Sequence, residues 1–136
     1  MSPAIHLGRD IQVPAGTLVR SPIRGFVMSS FVDPSNDIGW GRRIDIYDNS
    51  TDKYWVFGHL TSNPVLSKGF EVGDIIEVGD VIGMIGNINN NGGVFEHLHL
   101  QVCSPDIFGY KSIITEELDG YGDYDDLKYH FDPFSF

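Results

Sequence analysis

The sequence contains a single cysteine, Cys103. It can close no disulfide within the chain and offers no thiolate cluster, so any bound metal must rest on histidine and carboxylate. Cys103 lies four residues after His99 on an alternating run and reads as a small buried hydrophobe rather than a nucleophile. Basic residues are also few: 9 Lys and Arg stand against 19 Asp and Glu, a net charge of −10. Phosphate backbones are bound mainly through Lys and Arg, so nucleic acid is not an expected partner. No run of about 18 apolar residues is present to form a membrane-spanning helix. The opening MSPAIHLGRD lacks the basic start and the apolar stretch of roughly 7–15 residues of a secretory signal. The expectation is a cytoplasmic chain, or a secreted or periplasmic one if the sequence is a processed fragment. Helical periodicity is absent as well, except over 113–128.

What is present points to a small all-β domain. The 136 residues, 41% hydrophobic, suit one domain with one core, and 16 Gly and 7 Pro punctuate short apolar runs. Strands are expected at 18–19, 25–31, 43–47, 54–58, 75–76, 81–86 and 97–102. The stretches VPAGTLVRSPIRGFV at 13–27 and FEVGDIIEVGDVIGMIG at 70–86 resemble each other, a strand-turn-strand repeat that favours a small barrel or sandwich burying one shared core. The barrel is assigned to residues 1–105. Residues 106–136 form an acidic, irregular, partly helical extension, with Glu116, Glu117, Asp119, Asp123, Asp125 and Asp126 in a solvated segment and Tyr129, Phe131, Phe134 and Phe136 docking back on the barrel. The acidic segment lacks the ligand spacing of a calcium loop.

Four of the five histidines lie in three short motifs: HLGRD at 6–10, FGHL at 57–60 and HLHL at 97–100. In a strand, residues i and i+2 share a face, so His97 and His99 project together with Cβ atoms roughly 6–7 Å apart. One ring can ligate a metal while its neighbour stands beside it. His6 and Asp10 would be roughly 13 Å apart in an extended strand, so the chain must turn between them, and Gly8 is placed to allow it. Two neutral imidazoles and a carboxylate are the three-ligand set of a catalytic zinc site with an open fourth position. That set suits zinc better than copper(I) or magnesium. No HExxH sequence is present, and Glu96 falls on the opposite strand face from His97 and His99. His59 and His97 are left as general base and oxyanion partner, with the two roles undivided. His130, alone near the end, reads as an ordinary hydrogen-bonded residue.

At these residues the sequence resembles the lysostaphin-like zinc metallopeptidases, peptidoglycan endopeptidases built on a duplicated-hybrid-motif β-barrel. HLGRD is similar to the family's HxGxD, FGHL to its tyrosine-alanine-His-Leu segment, VGDIIEVGDVIGMIGN to its paired glycine hairpin, and EHLHLQV to its HLHFE strand. The resemblance implies one zinc per chain held by His6, Asp10 and His99, with His59 and His97 as the catalytic pair. It implies an endopeptidase whose substrate is a peptide of peptidoglycan cross-bridges or stems containing glycine or D-amino acids. Family members commonly carry an upstream segment with an inhibitory ligand, so this chain is expected to be unlatched. Glu96 replaces the family's usual Pro before HLH. The alternatives are a non-catalytic barrel of the same fold serving as a protein-binding or regulatory module, and a sugar-transport phosphocarrier using two converging histidines. The first would lack a ligand, and the second would place HxGxD late in the domain. The oligomeric state is not specified by any pattern.

Overall fold

The structure, a computed structural model, describes residues 5–35, 39–63, 69–104, 121–122 and 130–135. Its strands are β1 (Ile5–His6), β2 (Arg9–Ile11), β3 (Leu18–Arg20), β4 (Gly25–Val32), β5 (Arg42–Asp48), β6 (Lys53–Leu60), β7 (Ile75–Ile76), β8 (Val81–Met84), β9 (Leu98–Cys103), β10 (Tyr121–Gly122) and β11 (His130–Phe131). All seven expected strands are found, each within a few residues of its expected limits. Every pairing among the described residues is antiparallel.

The main sheet runs β11-β9-β6-β5-β4-β7, with β2 also pairing β9; β3 pairs β8 and β1 pairs β10 in two-stranded ribbons. β2 and β11 lie end to end along β9, opposite Leu98–Leu100 and Val102–Cys103 respectively. The main sheet and the β3–β8 ribbon share one apolar core that includes Val27, Ile46, Phe57 and Val102 from the sheet and Val19 and Ile82 from the ribbon.

The two related stretches clasp one another. β3 and β4 of the first pair with β8 and β7 of the second. Three turns of one design hold the clasp: Pro14–Thr17, Glu71–Asp74 and Glu77–Asp80, closed by bonds from Thr17 N to Pro14 O, Asp74 N to Glu71 O and Asp80 N to Glu77 O. Each carries glycine third, with φ of 88°, 96° and 89°, as a type II turn requires. The Asp74 and Asp80 carboxylates accept the amides of Glu71 and Glu77 at 2.9 and 2.8 Å. Pro14 has no amide to give, and there the Thr17 hydroxyl donates to the Pro14 carbonyl instead.

β9 is buried along its whole length, and β6 along all but its first two residues. One face of these strands meets the apolar core. The other carries buried polar groups, His99 and Gln101 of β9, with Asp45 of neighbouring β5 also buried. Arg43 and Asp45, both fully buried, pair through two hydrogen bonds of 2.8 Å. The Arg43 guanidinium lies between Phe31 and Trp40, 4.6 Å from the Trp40 ring centre.

The barrel boundary at residue 105, the expected helical segment, the six acidic residues, Tyr129 and Phe136 lie outside the described residues. Phe131 and Phe134 are described, and the chain returns to the barrel as β11 followed by a 3₁₀ turn at Pro133–Ser135. Arg9 approaches Asp132 at 3.4 Å and the Phe134 ring at 5.4 Å, and Lys53 lies over Phe131.

Candidate metal centre

The site forms where β2 meets β9. In that ladder Asp10 is the direct partner of His99, and Gly58 of β6 is the partner of His99 on the other side. His6 ends β1, and two residues, Leu7 and Gly8, bring the chain round into β2. The expected reason for Gly8 is corrected here. Its φ is not positive; the constraint is space, since a Cβ would sit 2.5 Å from the Leu100 carbonyl oxygen and 2.9 Å from His99 Nε2.

One carboxylate oxygen is the focus. Asp10 Oδ1 lies 3.0 Å from His6 Nε2, 3.4 Å from His97 Nε2 and 3.4 Å from His99 Nδ1. One ligand atom each from His6, Asp10 and His99 lie within 4.8 Å of one another. His59 completes the cluster, with its ring centre 4.5 Å from that of His97 and 6.1 Å from that of His99. His97 and His99 are buried, whereas His6 and Asp10 remain 28% and 29% exposed, so the site opens on their side.

Each ring gives its outward N–H to a fixed acceptor. His6 Nδ1–H donates to the Gly8 carbonyl at 2.6 Å, His59 Nδ1–H to the Asn91 carbonyl at 3.0 Å, and His97 Nδ1–H to the Phe95 carbonyl at 2.7 Å. His99 Nε2–H donates to Gln101 Oε1 at 2.9 Å. Such bonds fix the tautomer, so the remaining nitrogen presents a lone pair. His6 Nε2 and His99 Nδ1 thus turn lone pairs toward a carboxylate oxygen. Acceptors facing acceptors at 3.0 and 3.4 Å call for a positive charge between them, a proton or a bound metal ion. Two imidazoles and a carboxylate that still open to solvent are a donor set able to hold a metal and keep a position free.

Burial raises the Asp10 carboxyl, but the close contact with His99 and the proximity of His97, His6 and His99 outweigh it and hold Asp10 at about 2, an ionised carboxylate near pH 7. Burial pushes His59 down to about 4, more than its bond to the Asn91 carbonyl restores, so this ring is neutral near pH 7. His59 also holds a left-handed backbone, φ 65°, a conformation that costs a residue with a side chain about 1–3 kcal/mol. Its amide donates to Trp40 O at 2.7 Å, and its carbonyl accepts from Gly86 N. Trp40 stacks on its ring at 6.0 Å.

All five expected site residues converge. Glu96, set aside from the sequence, accepts the Ala15 amide at 2.9 Å. Cys103 is fully buried, and burial together with nearby Asp45 pushes its thiol up to about 12, so it is no nucleophile at neutral pH. Three supporting residues escaped the sequence reading, Trp40, Asn91 and Gln101; His130, read there as an ordinary hydrogen-bonded residue, contacts Gln101 at 2.8 Å. Gln101 alone left a trace, since it follows His99 by two positions and must share its strand face.

The sequence model of peptidase family M23 matches residues 4–107. The chain belongs to peptidase family M23. That family covers the whole of the site above, and membership places the chain among metalloendopeptidases, a hydrolase class. Endolysin 2638A of Staphylococcus phage 2638A is 36% identical over 81 residues, 59% of this chain. The chain spans only 16% of that endolysin. The catalytic domain of the antimicrobial peptidase lysostaphin from Staphylococcus simulans superposes with a TM-score of 0.66 at 20% identity, over 97% of this chain and 78% of that one. A zinc-containing peptidase from Vibrio cholerae superposes with a TM-score of 0.55 at 26% identity, over 71% of this chain and 26% of that one. The lysostaphin likeness establishes the shared β fold, and membership of M23 sets aside the phosphocarrier reading.

Proposed function

We propose that this chain is a zinc-dependent endopeptidase domain that hydrolyses peptide bonds in peptidoglycan cross-bridges or stems. The carrying observation is the pair of lone pairs, on His6 Nε2 and His99 Nδ1, directed at Asp10 Oδ1. His6, Asp10 and His99 hold the zinc. When bound, it supplies the Lewis acidity that polarises a scissile carbonyl and acidifies water.

His59 is the general base. Its Nδ1–H is committed to Asn91 and it is neutral near pH 7, so Nε2 takes a proton from the attacking water and returns it to the leaving amine. His97, in its protonated form, donates from Nε2, which lies 3.4 Å from Asp10 Oδ1, to the oxyanion of the tetrahedral intermediate. The endolysin relative supports a cell-wall substrate. A non-catalytic barrel would be marked by a missing ligand or base, and none of the five is displaced from the cluster.

Elemental analysis of the native chain and of His99→Ala tests the metal. About one zinc per native chain, lost in the variant, is expected, followed by cleavage of peptidoglycan and pentaglycine. No zinc after reconstitution at neutral pH would overturn the reading in favour of a binding module.

A further inference from the structure

His99 differs from the other three histidines in how its proton is fixed. The carbonyls opposite His6, His59 and His97 belong to the main chain and can only accept. The group opposite His99 is the side-chain amide of Gln101, which has an oxygen at one end and an NH2 at the other. If the amide reversed, its NH2 would face His99 Nε2. That nitrogen would then have to accept, and the proton would move to Nδ1, the atom that faces Asp10. A protonated Nδ1 cannot ligate a metal.

A second contact fixes the amide. Gln101, fully buried, places Nε2 at 2.8 Å from Nε2 of His130 on β11. With His130 Nε2 as acceptor, the NH2 end is held toward β11 and the oxygen toward His99. We infer that Gln101 and His130 are positioning residues of the metal centre, which set the His99 tautomer through a His130–Gln101–His99 chain of hydrogen bonds and thereby make the C-terminal strand part of the site. The M23 match ends at residue 107, so His130 lies beyond the part of the chain that defines the family.

The inference rests on the zinc reading for its consequence, not for its geometry, and the two can fail separately. Zinc affinity is to be measured by chelator competition for the parent, His130→Ala, Gln101→Leu, Gln101→Glu and the Gln101→Glu/His130→Ala double variant, with melting temperatures of the metal-free proteins alongside. His130→Ala and Gln101→Leu should weaken binding about 10–100-fold, the usual cost of losing an outer partner of a ligand. Gln101→Glu should bind at least as tightly as the parent, because a carboxylate presents oxygen at either end. In that background His130→Ala should change affinity little.

An equal loss from His130→Ala in both backgrounds would mean that His130 only docks the C-terminal strand, and the inference fails. No loss in either background also overturns it. If the parent binds no zinc, the zinc reading fails, and ¹⁵N NMR of the metal-free protein still decides the inference. At about pH 8, where imidazole is neutral, His99 should be protonated on Nε2 in the parent and mixed in His130→Ala. An unchanged tautomer would refute it. Where His130→Ala does not fold, His130→Phe keeps bulk, removes the acceptor and takes its place.

Discussion

The Nδ1–H of His59 donates to the main-chain carbonyl of Asn91 at 3.0 Å across a separation of 32 residues. Asn91 can hold that carbonyl still because its own side chain is saturated. Its Nδ2 donates to Gly86 O and Val94 O, and its Oδ1 accepts from Gly93 N and Val94 N, all at 3.0–3.1 Å.

Asn91→Ala should therefore lower kcat by about tenfold or more, while His59→Ala removes the roughly 10²–10⁴-fold of a general base. Zinc content and KM should stay at parental values in both. Steady-state kinetics on a small peptide, with metal analysis, checks this. A change confined to KM in Asn91→Ala would assign the residue to the groove rather than to His59.

Gly8→Ala forces a methyl against the Leu100 carbonyl and His99. Overpacking of this kind costs about 1–3 kcal/mol. Thermal melting of the metal-free protein should show the loss, and weaker zinc binding should accompany it as His6 and Asp10 are pushed off β9. A parental melting temperature and parental affinity together would show that the β1–β2 connection yields without harm.

The pH dependence has a defined sign. His59 titrates at about 4 when folded, below the ordinary 6.5, so between these values the unfolded chain takes a proton that the folded chain refuses. Stability of the metal-free protein should fall as pH drops from 6.5 toward 4 and lose nothing further through His59 below that. Asp10, at about 2 against an ordinary 3.8, extends the decline below pH 4. Urea denaturation across this range reads the slope, and a flat profile between 6.5 and 4 would contradict the burial assigned to His59.

Arg43 and Asp45 have no exposed surface. Arg43→Leu leaves a buried carboxylate without its bidentate partner and should cost about 3–5 kcal/mol, whereas Arg43→Leu with Asp45→Leu should recover most of the loss. Denaturant midpoints of the three proteins measure it. A double variant no more stable than Arg43→Leu would mean that the pair does not act as a unit.

Much of this was legible in the sequence because local signals and the final fold agree. Period-2 runs between Gly, Asn and Asp marked seven strands, and the shared Gly patterns of 13–27 and 70–86 foretold stretches that pair strand for strand. The i, i+2 spacing of His97 and His99 by itself puts both rings on one face. β1, β2, β10 and β11 were not legible, since none carries the adjacent pair of hydrophobes between turn residues that marked the equally short β3 and β7. The supports of the histidines were hidden for a related reason. Three of the four are carbonyl oxygens, which every residue carries, and the fourth is completed by His130, 29 positions from Gln101. Gly8 was marked correctly for the wrong cause, because a sequence displays flexibility more readily than the close passage of another strand.

The arrangement of β2 and β11 end to end along β9 has a bearing on timing. The two short strands lie far apart in sequence, and β2 finds its place only against a strand made much later. Contacts of such separation are rewarded only after a large loop has been closed, which slows folding. Until β9 is made and closes the loop back to β2, Asp10 and His99 stand far apart in the chain and the cluster has no frame to hold it.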